Sequence, residues 1–262
     1  MKDFNYYAPT EVVFGNESEE QVAQLVKKYG GTKVLVHYGG KSAVRSGLLD
    51  KICGLLRDGG IGFVKLGGVV PNPRLSLAKQ GIELCRKEGV DFILAVGGGS
   101  VIDSSKCIAY GVCYEGDVWD IYLGKAEPKC MLPVASVLTI PAAGSEMSEA
   151  SVITNEDGDV KLGYSNNMSR PKFAIMNPCR TFTLPPYQTA AGVTDMIMHT
   201  MERFYHAIGM PININELIGR DSTDEEIREM TRKCSRDYTA TCGCLKVLKA
   251  EDMEAIYKMA RG

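Results

Sequence analysis

From residue 32 to residue 139 the chain alternates short β-branched runs with longer helical patterns, and this alternation constrains the fold more than any other feature. "TKVLVHY" (32–38), "IGFVKLGGV" (61–69), "VDFILAVGGGS" (90–100) and "MLPVASVLT" (131–139) read as strands. They are too uniformly apolar to have one face in water. Between them lie "AVRSGLLDKICGLLRDGG" (43–60) and "RLSLAKQGIELCRKEG" (74–89), each with the i, i+3, i+4 apolar spacing of an amphipathic helix. Strands separated by helices of this length cannot form hairpins with one another. They build a parallel sheet covered by helices, an α/β architecture. A short opening strand and the helix "QVAQLVKKYGG" (21–31) precede this region, and Ser18 and Gln21 have capping-box spacing there.

After residue 139 the pattern changes twice. "ASVITNEDGDVKLGYS" (150–165) reads as a hairpin turning at Asp157-Gly158, and "KFAIMNP" (172–178) reads as one more strand. From about residue 185 the periodicity is helical throughout. The expected organisation is an α/β domain over 1–180 and a helical domain over 181–262. The totals agree with a soluble protein able to bury a sizeable core: 262 residues, 45% apolar, 24% charged.

Net charge is −2 and the basic residues are scattered, which offers no groove for nucleic acid. No apolar run is long enough to span a bilayer, and the first residues lack the apolar centre of a signal peptide, so a cytoplasmic location is expected. The nine cysteines are odd in number and irregularly spaced, which argues against a disulfide framework. The one close pair, Cys242-Gly-Cys244, has no second pair to complete a zinc site.

Two strand-to-helix turns carry glycines. "LAVGGGSVIDSSK" (94–106) places Gly98, Gly99 and Ser100 where a helix begins. There the backbone can approach a phosphate closely, and the first helix amides can meet it. The spacing is not the G-x-G-x-x-G of the Rossmann fingerprint. A tight βα turn with Ser100 as N-cap and Asp103 completing a capping box accounts for the same residues, and the two readings are compatible. "HYGGKSAVR" (37–45) is a second such turn, offering Gly39, Gly40 and Ser42 and no carboxylate. A carboxylate there would repel a 2′-phosphate, so the turn permits NADP and does not favour NAD.

The three histidines are His37, His199 and His206. Asp195 and His199, four apart in a helical pattern, pair an oxygen and a nitrogen donor on one face, which suits iron or zinc. A carboxylate–imidazole pair stabilising a helix surface explains that spacing equally well. His206 lies seven residues on, about 10 Å along a continuous helix, too far to share an ion with His199.

"VVPNP" (69–73), "AVGGGSVIDSSK" (95–106), "TIPAAGSEMSEASVIT" (139–154), "KFAIMNP" and "LPPYQTAAGVTDMIMHTMERF" (184–204), in this order, resemble the iron-containing (group III) alcohol dehydrogenases, in particular their butanol dehydrogenase branch. The resemblance implies a Rossmann-like domain for the dinucleotide, NAD or NADP, followed by an all-helical domain carrying a divalent metal. It implies hydride transfer between a primary alcohol or aldehyde and the cofactor. By motif it assigns Gly98, Gly99 and Ser100 to the pyrophosphate and Asp103 to the same loop or the nicotinamide side. Asn72, Gly39, Gly40 and Ser42 fall at the adenosine end, and Thr139 and Lys161 beside the cofactor. Ala143 stands where relatives often carry Thr. The family holds its metal with one Asp and three His. Asp195 and His199 match two of these. The helical stretch expected after "MERF", which would supply the other two, is missing, and the helical domain is internally shortened. The resemblance leaves the catalytic residues unassigned. It makes a second subunit or a full-length relative the expected macromolecular partner.

Overall fold

The computed structural model describes residues 7–40, 42–241 and 247–261; Lys41 and the Cys242-Gly-Cys244 spacing lie outside the described residues. The chain divides between Leu184 and Pro185 into two compact units.

In the first unit the strands are β1 (Glu11–Phe14), β2 (Lys33–Gly39), β3 (Gly62–Val69), β4 (Phe92–Gly97), β5 (Val134–Leu138), β6 (Ala150–Asn155), β7 (Val160–Ser165) and β8 (Phe173–Met176). Its helices are α1 (Val22–Lys28), α2 (Ser42–Arg45), α3 (Leu48–Asp58), α4 (Leu75–Glu88), α5 (Gly99–Cys113) and α6 (Trp119–Tyr122). Six strands form one parallel sheet in the order β1-β8-β5-β4-β2-β3, and β6 and β7 form an antiparallel hairpin apart from it. Alternate residues of β2 and β4 serve opposite faces. Val34, Val36, Phe92, Leu94 and Val96 join α1 and α3 in one buried cluster. Leu35 and Ile93 join α4 and α5 in another. Every residue of β4 is buried. A strand covered on both faces needs no polar alternation, and its sequence has none.

Three local expectations fail for identifiable reasons. Residues Ser18–Gln21 tighten into a 3₁₀ turn ahead of α1, so Ser18 lies inside the turn and its buried hydroxyl has no hydrogen-bond partner; the capping box does not form. The single helix expected over 43–60 is split into α2 and α3 by Gly47, whose φ of 72° breaks the helical run. At the glycine turn, Gly98 and not Ser100 is the N-cap of α5, and Asp103 hydrogen-bonds elsewhere.

The second unit contains α7 (Pro186–Ala207), α8 (Ile214–Ile218), α9 (Asp224–Cys234) and α10 (Ala250–Met259). α9 begins with a complete capping box between Thr223 and Glu226 and packs on α10 around Ile227, Thr231 and Met253. No residue of α7 is buried. Met196, Ile197, Met198, Met201, Phe204 and Tyr205 are all exposed on it.

Candidate functional site

In a parallel open sheet, ligands collect beyond the carboxyl ends of the strands, where consecutive connections leave in opposite directions. Here that point lies between β2 and β4, because β3 flanks β2 on one side and β4 on the other. The pairing of His37 with Ala95 and Tyr38 with Val96 sets the two strand ends level. Gly39, which ends β2, and Gly40 after it therefore lie beside Gly98 and Gly99, which follow β4. The turns touch through α5: a Cβ on Gly39 would lie 3.8 Å from Val101 Cγ2. Thr139, just after β5, donates its amide to the Gly97 carbonyl at 3.1 Å and so borders the same turn.

The glycines are not equivalent. A Cβ on Gly97 or Gly98 would strike Val101 at 2.4 Å or Ile140 at 2.6 Å, so these two are excluded from carrying side chains by packing. A Cβ on Gly99 would meet nothing nearer than Ser145 Cβ at 4.0 Å, and one on Gly40 would meet nothing within 4 Å. Both positions face open space, and Gly99 does so at the amino end of the fifteen-residue α5, whose first amides have no partner within the helix. Open backbone beside helix amides without intrahelical partners suits an anion such as a dinucleotide pyrophosphate.

Asn72 follows β3 on the same edge, in a left-handed conformation with φ 56°. Its side-chain oxygen accepts a 2.8 Å hydrogen bond from Lys161 of β7. The hairpin is anchored there by the Thr154 amide, which donates to the Pro73 carbonyl at 2.9 Å. Thus Gly39, Gly40, Ser42, Gly98, Gly99, Ser100 and Thr139 share the carboxyl edge of β2, β4 and β5, and Asn72 and Lys161 pair beyond β3. Asp103, one turn into α5, binds the segment that follows β5. Its Oδ1 accepts from the Ser145 hydroxyl at 2.6 Å and its Oδ2 from the Val152 amide at 3.2 Å. Burial raises its pKa above the usual carboxylate value; the Ser145 hydrogen bond and the nearby Lys106 act in the opposite direction.

Two buried polar groups lie here: Lys106, which was not singled out in the sequence, and His37, which was named there only as one of three histidines. Lys106 is completely buried, one turn beyond Asp103 on α5. The signal was slight: Lys106 is the one basic residue of the helix GSVIDSSKCIAYGVC and leads into the run CIAYGV. His37 is completely buried as well. Its Nδ1–H donates to the Leu66 carbonyl at 2.8 Å, and its Nε2 accepts the Ser104 hydroxyl at 2.9 Å. Leu66 offers only an acceptor, which fixes the neutral tautomer. Burial lowers the imidazole pKa to about 4. With both nitrogens engaged, His37 has none to offer a metal.

In the second unit, Asp195 and His199 face each other on α7, Oδ1 to Nε2 at 3.7 Å, and Glu202 lies 3.5 Å from the other ring nitrogen. Both members of the Asp195–His199 pair are about two-thirds exposed. α7 runs unbroken through His206, so His199 and His206 stand about 10 Å apart along the axis. Among the described residues no group of three or more His, Cys, Asp or Glu is arranged to hold a metal ion. Two exposed donors do not fit a tightly held divalent ion, which takes at least three protein ligands in catalytic sites.

Comparison with known proteins gives a consistent picture. The family model for iron-containing alcohol dehydrogenase matches residues 9–178. NADH-dependent butanol dehydrogenase A of Clostridium acetobutylicum is 45% identical over 208 residues, 79% of this chain and 53% of that protein. NADPH-dependent aldehyde reductase YqhD of Escherichia coli is 36% identical over 207 residues, 78% of this chain and 52% of its own. The crystal structure of NADH-dependent butanol dehydrogenase A from Thermotoga maritima superposes with a TM-score of 0.75 at 38% identity, covering 99% of this chain and 62% of that one. The chain spans about half the length of the curated relatives it matches.

Proposed function

The chain belongs to the iron-containing alcohol dehydrogenase family, and from that premise we propose that its first unit binds a nicotinamide dinucleotide, as part of an oxidoreductase acting between a primary alcohol and its aldehyde. The observation that carries this reading is the level placement of two glycine turns across the switch point, with Gly99 and Gly40 facing open space. The Gly99 and Ser100 amides hold the pyrophosphate at the start of α5. Gly39, Gly40 and Ser42 take the adenosine ribose. No carboxylate stands among them, so a 2′-phosphate meets no like charge from these residues. Thr139 borders the turn, and Lys161 supplies a cation held in place by Asn72. The nicotinamide, when bound, accepts or delivers the hydride.

A second reading concerns turnover. An alcohol must lose a proton as it loses hydride, which the family's metal assists as a Lewis acid. Asp195 and His199 correspond to two of the family's ligands, and two donors leave the ion weakly held. We infer that this chain alone binds cofactor without turning over alcohol, a nucleotide-binding relative that acts alone or beside a full-length partner. Fluorescence titration with NADPH and NADH, with and without Fe²⁺ or Zn²⁺, tests both readings when paired with butanol and butanal assays. Saturable binding without turnover is the expected result. Metal-stimulated turnover abolished by His199→Ala refutes the second reading. Absence of binding to either cofactor refutes the first.

A further inference from the structure

The connector between β5 and β6, residues 139–149, has no regular secondary structure, yet it forms one wall of the glycine turn. Ile140 packs against Gly98, and Ser145 Cβ is the atom nearest the open side of Gly99. An irregular segment holds such a position only if its backbone groups find partners. Three of its carbonyls, or their immediate neighbour's, converge on one atom. Lys106 Nζ donates to Ser145 O at 2.8 Å, Ser148 O at 2.9 Å and Ala150 O at 2.8 Å, with Ser145 Oγ at 3.2 Å. An ammonium has three N–H bonds and a neutral amine two, so three carbonyls are served fully only by the charged form. Beside it, Asp103 accepts the Ser145 hydroxyl, and the Ser151 hydroxyl donates to the Asp103 carbonyl at 2.9 Å. The outer side of the connector is held separately: Arg170 donates to the Met147 carbonyl at 2.7 Å and pairs with Glu149.

We propose that Lys106 is a positioning residue for the cofactor: its charged amine clamps the β5–β6 connector onto α5, and loss of that charge releases the wall and weakens dinucleotide binding. The proposal rests on the cofactor reading above. Lys106 touches no cofactor atom in this scheme; it acts through Ser145 and the connector backbone. Burial lowers its pKa to about 8, while Asp103, Glu146 and Glu149 oppose that fall and Arg170 adds to it. The amine is therefore charged at neutral pH and discharges in mild alkali.

The test combines amide hydrogen exchange with NADH and NADPH titration on the full chain. Lys106→Met keeps the length of the side chain and removes the charge. It is expected to raise exchange across 144–150 at least tenfold while β4 amides (92–97) stay protected, and to weaken cofactor binding at least tenfold at pH 7. Should that variant fail to fold, the wild type serves. Between pH 7 and pH 9.5, after correction for intrinsic exchange, the connector is expected to lose protection relative to β4, and cofactor affinity to fall with it. Parallel shifts of connector and β4, or wild-type affinity in a folded Lys106→Met, overturn the proposal. If the wild type binds neither cofactor, the cofactor reading falls and the binding half of this proposal with it. The exchange pattern then decides the clamp alone.

Discussion

One buried imidazole should make a separable contribution to acid destabilisation of the first unit. His37 is buried and neutral, with its pKa lowered by burial to about 4 from an ordinary 6.5. Above pH 6.5 the imidazole is neutral folded and unfolded, and contributes no pH dependence. Between pH 6.5 and 4 the unfolded chain binds a proton that the folded chain refuses, so folding stability falls as pH falls. The slope is about 1.4 kcal/mol per pH unit and the total about 3 kcal/mol, saturating below pH 4. Out of a typical domain stability of about 5–15 kcal/mol, this is a large share. The chain's single tryptophan, Trp119, is 9% exposed in the first unit, so its fluorescence follows unfolding of that unit. Urea melts at half-unit steps from pH 7 to 4.5, on wild type and His37→Gln, isolate the effect. Carboxylates with lowered pKa, such as Glu19 and Asp91, also weaken the fold in acid, but both proteins share them and they cancel in the difference. The variant is expected to be less stable at pH 7 and to close the gap, or cross over, as pH falls. Parallel stability curves would show that His37 does not titrate as its burial requires.

Other outcomes follow from the same geometry. Lys161→Ala is expected to leave the Trp119 unfolding midpoint nearly unchanged, since the bond to Asn72 is exposed, while lowering NADH or NADPH affinity severalfold in a fluorescence titration. Gly81→Val should cost about 1–3 kcal/mol in urea melts, because even a Cβ there lies 2.5 Å from Ile108 Cδ1 in the packing of α4 on α5. Gly98→Ala should weaken cofactor binding by displacing Ile140, whereas Gly40→Ala, with open space around it, should fold normally. Calorimetric titration with Zn²⁺ should show only weak binding, removed by His199→Ala; submicromolar affinity would mean that further ligands complete the site.

The parallel sheet was readable because its cause is local. β-branched runs separated by helical periods leave no other way to satisfy the strands, and "FILAVG" has no polar residue to give a solvent face. The helical character after residue 185 was equally visible in its periodicity. Strand order was not readable. Nothing in "TKVLVHY" or "VDFILAVGGGS" says that β2 lies between β3 and β4, yet that order sets the turns at Gly39 and Gly98 side by side. The break at Gly47 and the collapse of the Ser18 cap depend on how neighbouring segments pull the backbone, which a window of residues does not contain.

The sequence by itself determined the α/β class, the glycine turns at helix starts and the family. These follow from residue identity and spacing along one chain. Only the tertiary structure decided what the buried polar groups do. Lys106 gathers carbonyls from Ser145, Ser148 and Ala150, some forty residues away, and His37 is held neutral by Leu66 and Ser104. The physical reason is that a buried charge or imidazole is defined by its partners, and partners brought together across the fold leave no periodic trace in the sequence.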